Sequence, residues 1–210
     1  MNDETRKIGN YEVREKMGAG SLGPLYAATQ IEANRTVALR VLDPKFADDA
    51  EFIERFMGDA RAAARASHKN LCEVIEVRQD RGLYFAATEM VDGISFEDML
   101  SQHGKLAANV AEGYLRQALA GLQAAYDLGL VHENIKPSNI LVCGLTGTLK
   151  IADLGIPGDP DQQAAQGELG LAGTAYYMAP ELARGLKGDT RSNIYSLGAT
   201  FYHMLAGSPP

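Results

Sequence analysis

The chain lacks most of the features that would place it in a specialised class. Only two cysteines occur in 210 residues, Cys72 and Cys143. They lie far apart and without metal-ligand spacing, which excludes a disulfide framework and a zinc cluster. Two reduced thiols in a cytoplasmic protein are the expectation. No apolar run approaches the roughly 18 residues that a membrane span requires, and the stretch Met1 to Lys7 is polar and charged. No membrane contact is expected from this chain. Basic residues are few and dispersed: 20 Lys and Arg stand against 27 Asp and Glu, for a net charge of −7. That balance argues against nucleic acid or an anionic lipid surface as partner. The remaining composition, 46% hydrophobic and 22% charged, is that of a globular chain able to bury one substantial core or two smaller ones.

What is present is patterned, and the pattern changes near residue 92. Tyr11 to Lys16 and Leu25 to Gln30 flank a glycine-rich turn as two strands of a hairpin would. Thr36 to Leu42 is another strand-like run, closed by Asp43-Pro44. Between Asp48 and Ala66, Phe52, Ile53, Phe56, Met57, Ala60, Ala63 and Ala64 recur at helical spacing behind two aspartates suited to a helix start. Leu71 to Val77 and Tyr84 to Thr88, separated by Asp80-Arg81-Gly82, read as a second hairpin. Beyond residue 92 the period is helical. Val110, Tyr114, Leu115, Ala118, Leu122 and Ala125 share one face of Val110 to Leu128, stopped by Gly129. Ser192 to Leu205 is apolar nearly all round and predicts an interior helix. The expected class is α+β, a sheet part followed by a helical part, with a ligand cleft where the two meet at Glu89 to Gly93.

Gly18-Ala19-Gly20-Ser21-Leu22-Gly23 is a G-x-G-x-x-G string, whose missing side chains let backbone amides approach phosphate. Alone it is a common string. Its setting between two strands excludes Rossmann and Walker sites, which need a helix directly after the glycines. Downstream, in order, come Val37-Ala38-Leu39-Arg40, His132-Glu133-Asn134-Ile135-Lys136-Pro137-Ser138-Asn139, Asp153-Leu154-Gly155 and Ala179-Pro180-Glu181. Their order and spacing match the kinase signature V-A-I-K, H-R-D-x-K-x-x-N, D-F-G and A-P-E. From Tyr11 to Pro210 the chain resembles the eukaryotic-like Ser/Thr protein kinases of bacteria.

The resemblance implies a protein-kinase-like bilobal fold. Residues 1–10 would be a tail, and 11–91 a small lobe of a five-stranded antiparallel sheet plus one helix. Residues 92–210 would form a mostly helical large lobe lacking the family's last helices. It implies ATP and Mg²⁺ as ligands. Carried over residue by residue, the nucleotide would lie under Met17, Gly18, Ala19, Gly20, Ser21, Leu22 and Gly23. Leu25 and Ala38 would cover the adenine, Leu141 would lie below it, and the backbone at Glu89 and Val91 would bind its edge. Thr88 matches the gatekeeper. Asn139 and Asp153 match the metal ligands, and Lys136 the catalytic-loop lysine that contacts the transferred phosphate.

The departures from the family pattern fall on chemistry. The strand lysine that holds the α- and β-phosphates is Arg40, and its helix partner, a glutamate in the family, is Asp59. Guanidinium is flat and bulky, so the exchange is not conservative. The catalytic aspartate is Asn134, whose neutral amide accepts no proton. Losing general-base assistance removes about 3 to 5 kcal/mol of transition-state stabilisation. The arginine that receives an activation-loop phosphate is Glu133, which repels phosphate. Residues 156–173 contain no Ser, Thr or Tyr, and carry Asp159, Asp161 and Glu168 without any Lys or Arg. The aspartate of D-x-Y-S-x-G is Asn193, which keeps an acceptor oxygen and loses the charge.

The resemblance and its departures together point to a pseudokinase that binds a partner, with ATP and Mg²⁺ as its ligands. The alternative is a Ser/Thr protein kinase with weak residual activity, and a third reading is a decaying gene product without selected activity. A protein partner or self-association is expected through the Asn193 to Ala206 helix, whose apolar face the family covers with later helices.

Overall fold

The computed structural model describes residues 7–20, 22–158 and 175–210. Contacts divide the chain into two units: the first runs to Arg65 and resumes over Glu73–Met90, and the second holds Ala66–Cys72 and Val91–Pro210.

The first unit is built on an antiparallel sheet of six strands. These are β1 (Lys7–Ile8), β2 (Tyr11–Gly20), β3 (Gly23–Gln30), β4 (Arg35–Val41), β5 (Val74–Asp80) and β6 (Leu83–Glu89), in the order β1-β2-β3-β4-β6-β5. Five strands were expected. The sixth is β1, where Lys7 and Ile8 pair with Glu12 and Tyr11. Residues 7–10 are therefore part of the sheet and not of a tail, because Ile8 is fully buried against Tyr11, Phe85 and Leu39. Tyr11 meets Phe85 edge to face at 5.6 Å, and its hydroxyl donates to Glu76 Oε2 at 2.8 Å. Burial, with Glu76 beside it, pushes that phenol well above its ordinary range. The β5–β6 turn consists of Arg81 and Gly82, both at positive φ, the two-residue geometry that follows the twist of a hairpin.

The helix expected over Asp48 to Ala66 is α1 (Ala50–Ala63). Its start is set by Asp49, whose carboxylate accepts the Phe52 N–H at 3.0 Å. Phe52, Phe56, Ala60 and Ala63 form its buried stripe, and Phe52 stacks on Phe46 at 4.6 Å.

Ala66–Cys72, within the stretch 11–91 that the resemblance gives to the small lobe, belongs to the second unit. Leu71 does not begin a strand of the first sheet. It bridges Ile151 in parallel, while Cys72 N–H donates to Ile151 O and Ile151 N–H to Asn70 O, both at 2.9 Å. A buried backbone needs partners, and this segment finds them on the strand Leu149–Ile151. Val91 likewise falls in the second unit, the first ending at Met90.

The second unit pairs β7 (Gly93–Ser95), β8 (Ile140–Cys143) and β9 (Leu149–Ile151) in a small antiparallel sheet. It packs these with α2 (Phe96–His103), α3 (Ala108–Tyr126), the short α4 (Pro180–Ala183) and α5 (Thr190–Ala206). Buried Asn70 ties α3 to the sheet: its Nδ2 donates to Leu149 O at 2.7 Å and to Gln117 Oε1 at 3.1 Å. Phe96 meets Phe201 edge to face at 5.6 Å, joining α2 to α5. One side of α5 is buried through Ser192, Asn193, Leu197, Thr200, Phe201 and Met204. The other side leaves Ile194, Tyr195, Tyr202 and Leu205 44–52% exposed. The helix is therefore interior on one face only, since its buried stripe takes polar residues as well as apolar ones. Among the described residues no helix is long and apolar enough to cross a membrane.

Gly23 tests how tightly the first sheet specifies its backbone. It sits at φ +127, and a Cβ there would lie 2.3 Å from Val41 O and 2.7 Å from Asp43 N. Gly23→Ala is expected to lower unfolding stability by roughly 3 kcal/mol or more, combining strain with a backbone clash. Gly113→Ala, on an open face of α3 with nothing within 4 Å, is expected to be neutral or stabilising by up to about 1 kcal/mol. Urea unfolding of both variants checks the contrast.

Candidate functional site

In the first unit the glycine string is the end of a hairpin. Gly18, Ala19 and Gly20 lie on β2, exposed along with half-exposed Met17, and Gly20 pairs with Gly23. Ser21 lies outside the described residues. Leu22 is buried, and its carbonyl accepts the Asp43 N–H at 2.8 Å, which pins the tip to the end of β4. Arg40 is on β4, opposite Leu25. Its Nη1 is 3.3 Å from where a Cβ at Gly20 would stand, so the guanidinium lies close against the glycine strand. Ala38 pairs with Thr88, whose hydroxyl donates to Ala38 O at 3.5 Å. Glu89 ends β6, its N–H bonded to Glu73 O at 2.9 Å. Asp59, the position matched to the family's helix glutamate, is exposed on α1 and lies 3.5 Å from Arg55 one turn back. An exposed pair of this kind contributes little stability.

In the second unit the segment His132 to Asn139 is held from three sides. Asn193, in the first turn of α5, turns its Oδ1 to accept both the His132 N–H at 3.2 Å and the Glu133 N–H at 3.1 Å. The His132 ring bonds Ala152 O through Nε2 at 2.8 Å and accepts the Asn134 N–H at Nδ1 at 3.3 Å. Those two roles define a neutral imidazole with its proton on Nε2. Burial holds His132 below its ordinary range, against the opposing pull of the Ala152 carbonyl and of the Asp153 and Glu133 charges. Asn139, also buried, donates from Nδ2 to Asn134 O at 2.8 Å, and its carbonyl accepts the Ala152 N–H at 2.9 Å. The last bond sets the strand end carrying Asp153 beside Asn139. Leu141 follows on β8, opposite Ser95 and Lys150.

Glu133 and Asp153 both occupy left-handed backbone, at φ +57 and +62. Each such residue costs on the order of 1 to 3 kcal/mol and persists where the surroundings over-determine it. The surroundings here are the loop bonds just described and, at Glu133, a carboxylate bond to the Gly188 N–H at 2.9 Å. Nearby, Ser192 donates its hydroxyl to Glu181 Oε1 at 2.5 Å and accepts the Asp189 N–H at 3.1 Å. That hydroxyl holds the Glu181 carboxyl below its usual range, and the Arg191 guanidinium does the same for Asp189. Tyr177 stacks on His203 and bonds its Nδ1 at 2.6 Å. Gly188, Ser192 and His203 carry no motif of their own in the sequence; their partners lie 11 to 55 residues away. Residues 159–174, which include most of the segment without Ser, Thr or Tyr, lie outside the described residues.

The donor set suits a hard cation only with help. Asn139 and Asp153 supply oxygen, and among the described residues no group of three or more His, Cys, Asp or Glu is placed to hold a metal ion. Mg²⁺ is characteristically bound by one or two protein carboxylates together with substrate phosphates, so this pair fits a nucleotide-borne Mg²⁺ and not a self-contained metal centre. The loop also carries Lys136 as a cation. At 134 it offers an amide, which hydrogen-bonds a hydroxyl without accepting its proton.

A fold of this form with these motifs defines a class, and comparison with known proteins agrees. The protein kinase domain family matches residues 11–210. The Ser/Thr-protein kinase PknL of Mycobacterium tuberculosis is 34% identical over 200 residues, covering 95% of this chain and 50% of PknL. PrkC of Bacillus subtilis is 29% identical over 205 residues, covering 98% of this chain and 32% of PrkC. Among solved structures, the M. tuberculosis PknI kinase domain superposes with a TM-score of 0.82 at 27% identity, covering all of this chain and 79% of that one. The chain thus spans half or less of the length of these curated relatives. It belongs to the protein kinase family, as a member of its bacterial eukaryotic-like Ser/Thr branch.

The neutral, buried His132 makes stability depend on pH with a definite sign. Its folded pKa lies below the unfolded value of about 6.5, so the unfolded chain binds more protons below that pH, and stability falls as pH drops through it. Partly buried His203 is shifted in the same direction. Unfolding free energy is expected to fall by up to about 1.4 kcal/mol per pH unit below pH 6.5 through His132 alone, with a smaller contribution from the more solvent-screened His203. Urea melts at pH 7.5 and 5.5 check this, and the difference should shrink in His132→Gln.

Proposed function

We propose that this chain is a pseudokinase: a kinase-fold domain that binds ATP with Mg²⁺, transfers phosphate poorly or not at all, and acts in the cytoplasm through protein contacts. The observation that carries the reading is the pairing of an intact loop with an altered atom. His132, Asn139 and Asn193 hold the loop by five hydrogen bonds of 2.8–3.3 Å, and at its centre stands Asn134 in place of a base. A decayed site would be expected to lose the supporting bonds as readily as the chemistry.

ATP is the phosphoryl donor in this family, and its phosphates would complete the coordination of Mg²⁺. The positions that favour binding are the bare strand Gly18 to Gly20 with the Arg40 cation beneath Gly20, and Lys136, Asn139 and Asp153 in the second unit. What these residues do is attract and orient a polyphosphate. None of them replaces the aspartate that orients a substrate hydroxyl and takes its proton, and Arg40 presents a broader, more weakly hydrated cation than lysine. Each loss alone slows transfer by orders of magnitude, and effects of groups that act as a unit do not add.

Thermal unfolding with ATP is expected to shift upward by several degrees, more with Mg²⁺ present, while Mg²⁺ alone leaves it unchanged. Radiolabelled transfer to the chain itself or to generic acceptors is expected to stay at background. Autophosphorylation that Asp153→Ala abolishes would establish the weak-kinase alternative instead. Ala38→Trp, which crowds the strand facing Thr88, is expected to remove the ATP shift.

The protein contact we propose is self-association through the open face of α5. Ile194, Tyr195, Tyr202 and Leu205 form one stripe there, all 44–52% exposed, and monomers seldom carry contiguous apolar patches of this kind. Light scattering at micromolar concentration is expected to give a dimer or larger, and Ile194→Lys with Tyr202→Lys a monomer. A monodisperse wild-type monomer would sink the proposal.

A further inference from the structure

Glu133 stands where the family's phosphate-receiving arginine stands, and its carboxylate is engaged. Oε1 accepts the Gly188 N–H at 2.9 Å, in the turn that leads into Asp189, the N-cap of α5. The position is shaped to a carboxylate. A Cβ at Gly188 would lie 3.0 Å from Glu133 Oε1, 2.9 Å from Leu182 Cδ2 and 3.1 Å from Ser192 Oγ, so a side chain here would have to displace those groups. The same residue is held through its backbone, since the Glu133 N–H donates to Asn193 Oδ1 at 3.1 Å. Glu133 is thereby gripped at both ends by the start of α5 and the turn before it.

We propose that Glu133 is a permanent latch, a positioning residue that fixes the loop His132 to Asn139 to the Gly188 turn with its own carboxylate. In the family an arginine at this place is served by a phosphate added to another segment. Here the anion is built into the loop and bonds a backbone amide, so no added phosphate is needed to set the loop. Two further features agree with the latch. Residues 156–173 offer no hydroxyl to phosphorylate, and Asn193 at the loop's other anchor is neutral, so the anchor adds no second carboxylate beside Glu133. A charge-assisted bond of this type is about twice as strong as a neutral one, enough to help hold Glu133 in its left-handed backbone.

The test is amide hydrogen exchange, followed by NMR on the 210-residue chain without nucleotide, so that its result does not depend on whether ATP binds. Glu133→Ala and Glu133→Arg are expected to speed exchange of the Gly188 amide at least tenfold, while Leu39 in the first sheet stays unchanged. Glu133→Gln keeps an acceptor oxygen of the same reach but loses the charge, and is expected to fall between wild type and alanine, with Gly188 exchange sped by less than tenfold. Gly188 exchange that is unchanged in the alanine and arginine variants overturns the latch, and so does a glutamine variant as fast as alanine. Should the alanine and arginine variants fail to fold, the glutamine variant decides by itself. Protection at Gly188 then supports the latch, and a tenfold loss overturns it.

Discussion

One oxygen organises the second unit. Oδ1 of Asn193, on a side chain nearly closed to solvent, takes two consecutive backbone N–H groups of the loop before Asn134. Unpaired buried amides cost on the order of 1 to 3 kcal/mol each, so this acceptor decides where the loop runs. The His132 ring, itself buried, then spans from Ala152 to Asn134, and Asn139 closes the circuit by bonding Asn134 and Ala152. Each member is both a support and a dependent of the next, which is why a residue as strained as Glu133 is tolerated in the middle. An aspartate at 193 would make the same two bonds with charge assistance. The amide retains the geometry at lower strength, and the Glu133 carboxylate adds a bond to Gly188 that arginine has no acceptor to make.

In the first unit the corresponding constraint is steric. The glycine strand, the pinned tip at Leu22 and the close pass of Gly23 over Val41 leave a narrow space under Gly20, and Arg40 reaches into it. Lysine would bring a compact ammonium to a phosphate; arginine brings a planar fork that is always charged. The exchange keeps a positive charge at this position while changing its shape. Asp59 lies beside Arg55 on its own helix.

Family and function separate clearly here. The fold, the order of motifs and the likeness to PknL, PrkC and the PknI kinase domain place the chain among bacterial Ser/Thr kinases, whereas activity is a property of particular atoms. A protein can keep every bond that shapes a catalytic loop and lack the one group that moves a proton. The half-open α5, with Ile194, Tyr195, Tyr202 and Leu205 exposed on one side, is the surface on which the proposed association rests.

Local chemistry was legible in the sequence. Asp49 as a helix cap, Arg81-Gly82 as a tight turn, the amphipathic stripe of α1 and the stop at Gly129 depend on neighbours a few residues away, so periodicity and turn chemistry suffice to find them. The motif residues were legible for the same reason, since each short string carries its own pattern. Tertiary structure alone decided the rest. Lys7–Ile8 became a strand because Ile8 found a pocket between Tyr11 and Phe85. Ala66–Cys72 crossed to the second unit because its backbone found donors and acceptors on β9. Glu133 turned to Gly188, and Ser192 to Glu181, through contacts between segments distant in the chain. A linear pattern registers what a residue is and what stands beside it; which far segment satisfies a buried amide or an apolar face is settled only when the whole chain has packed.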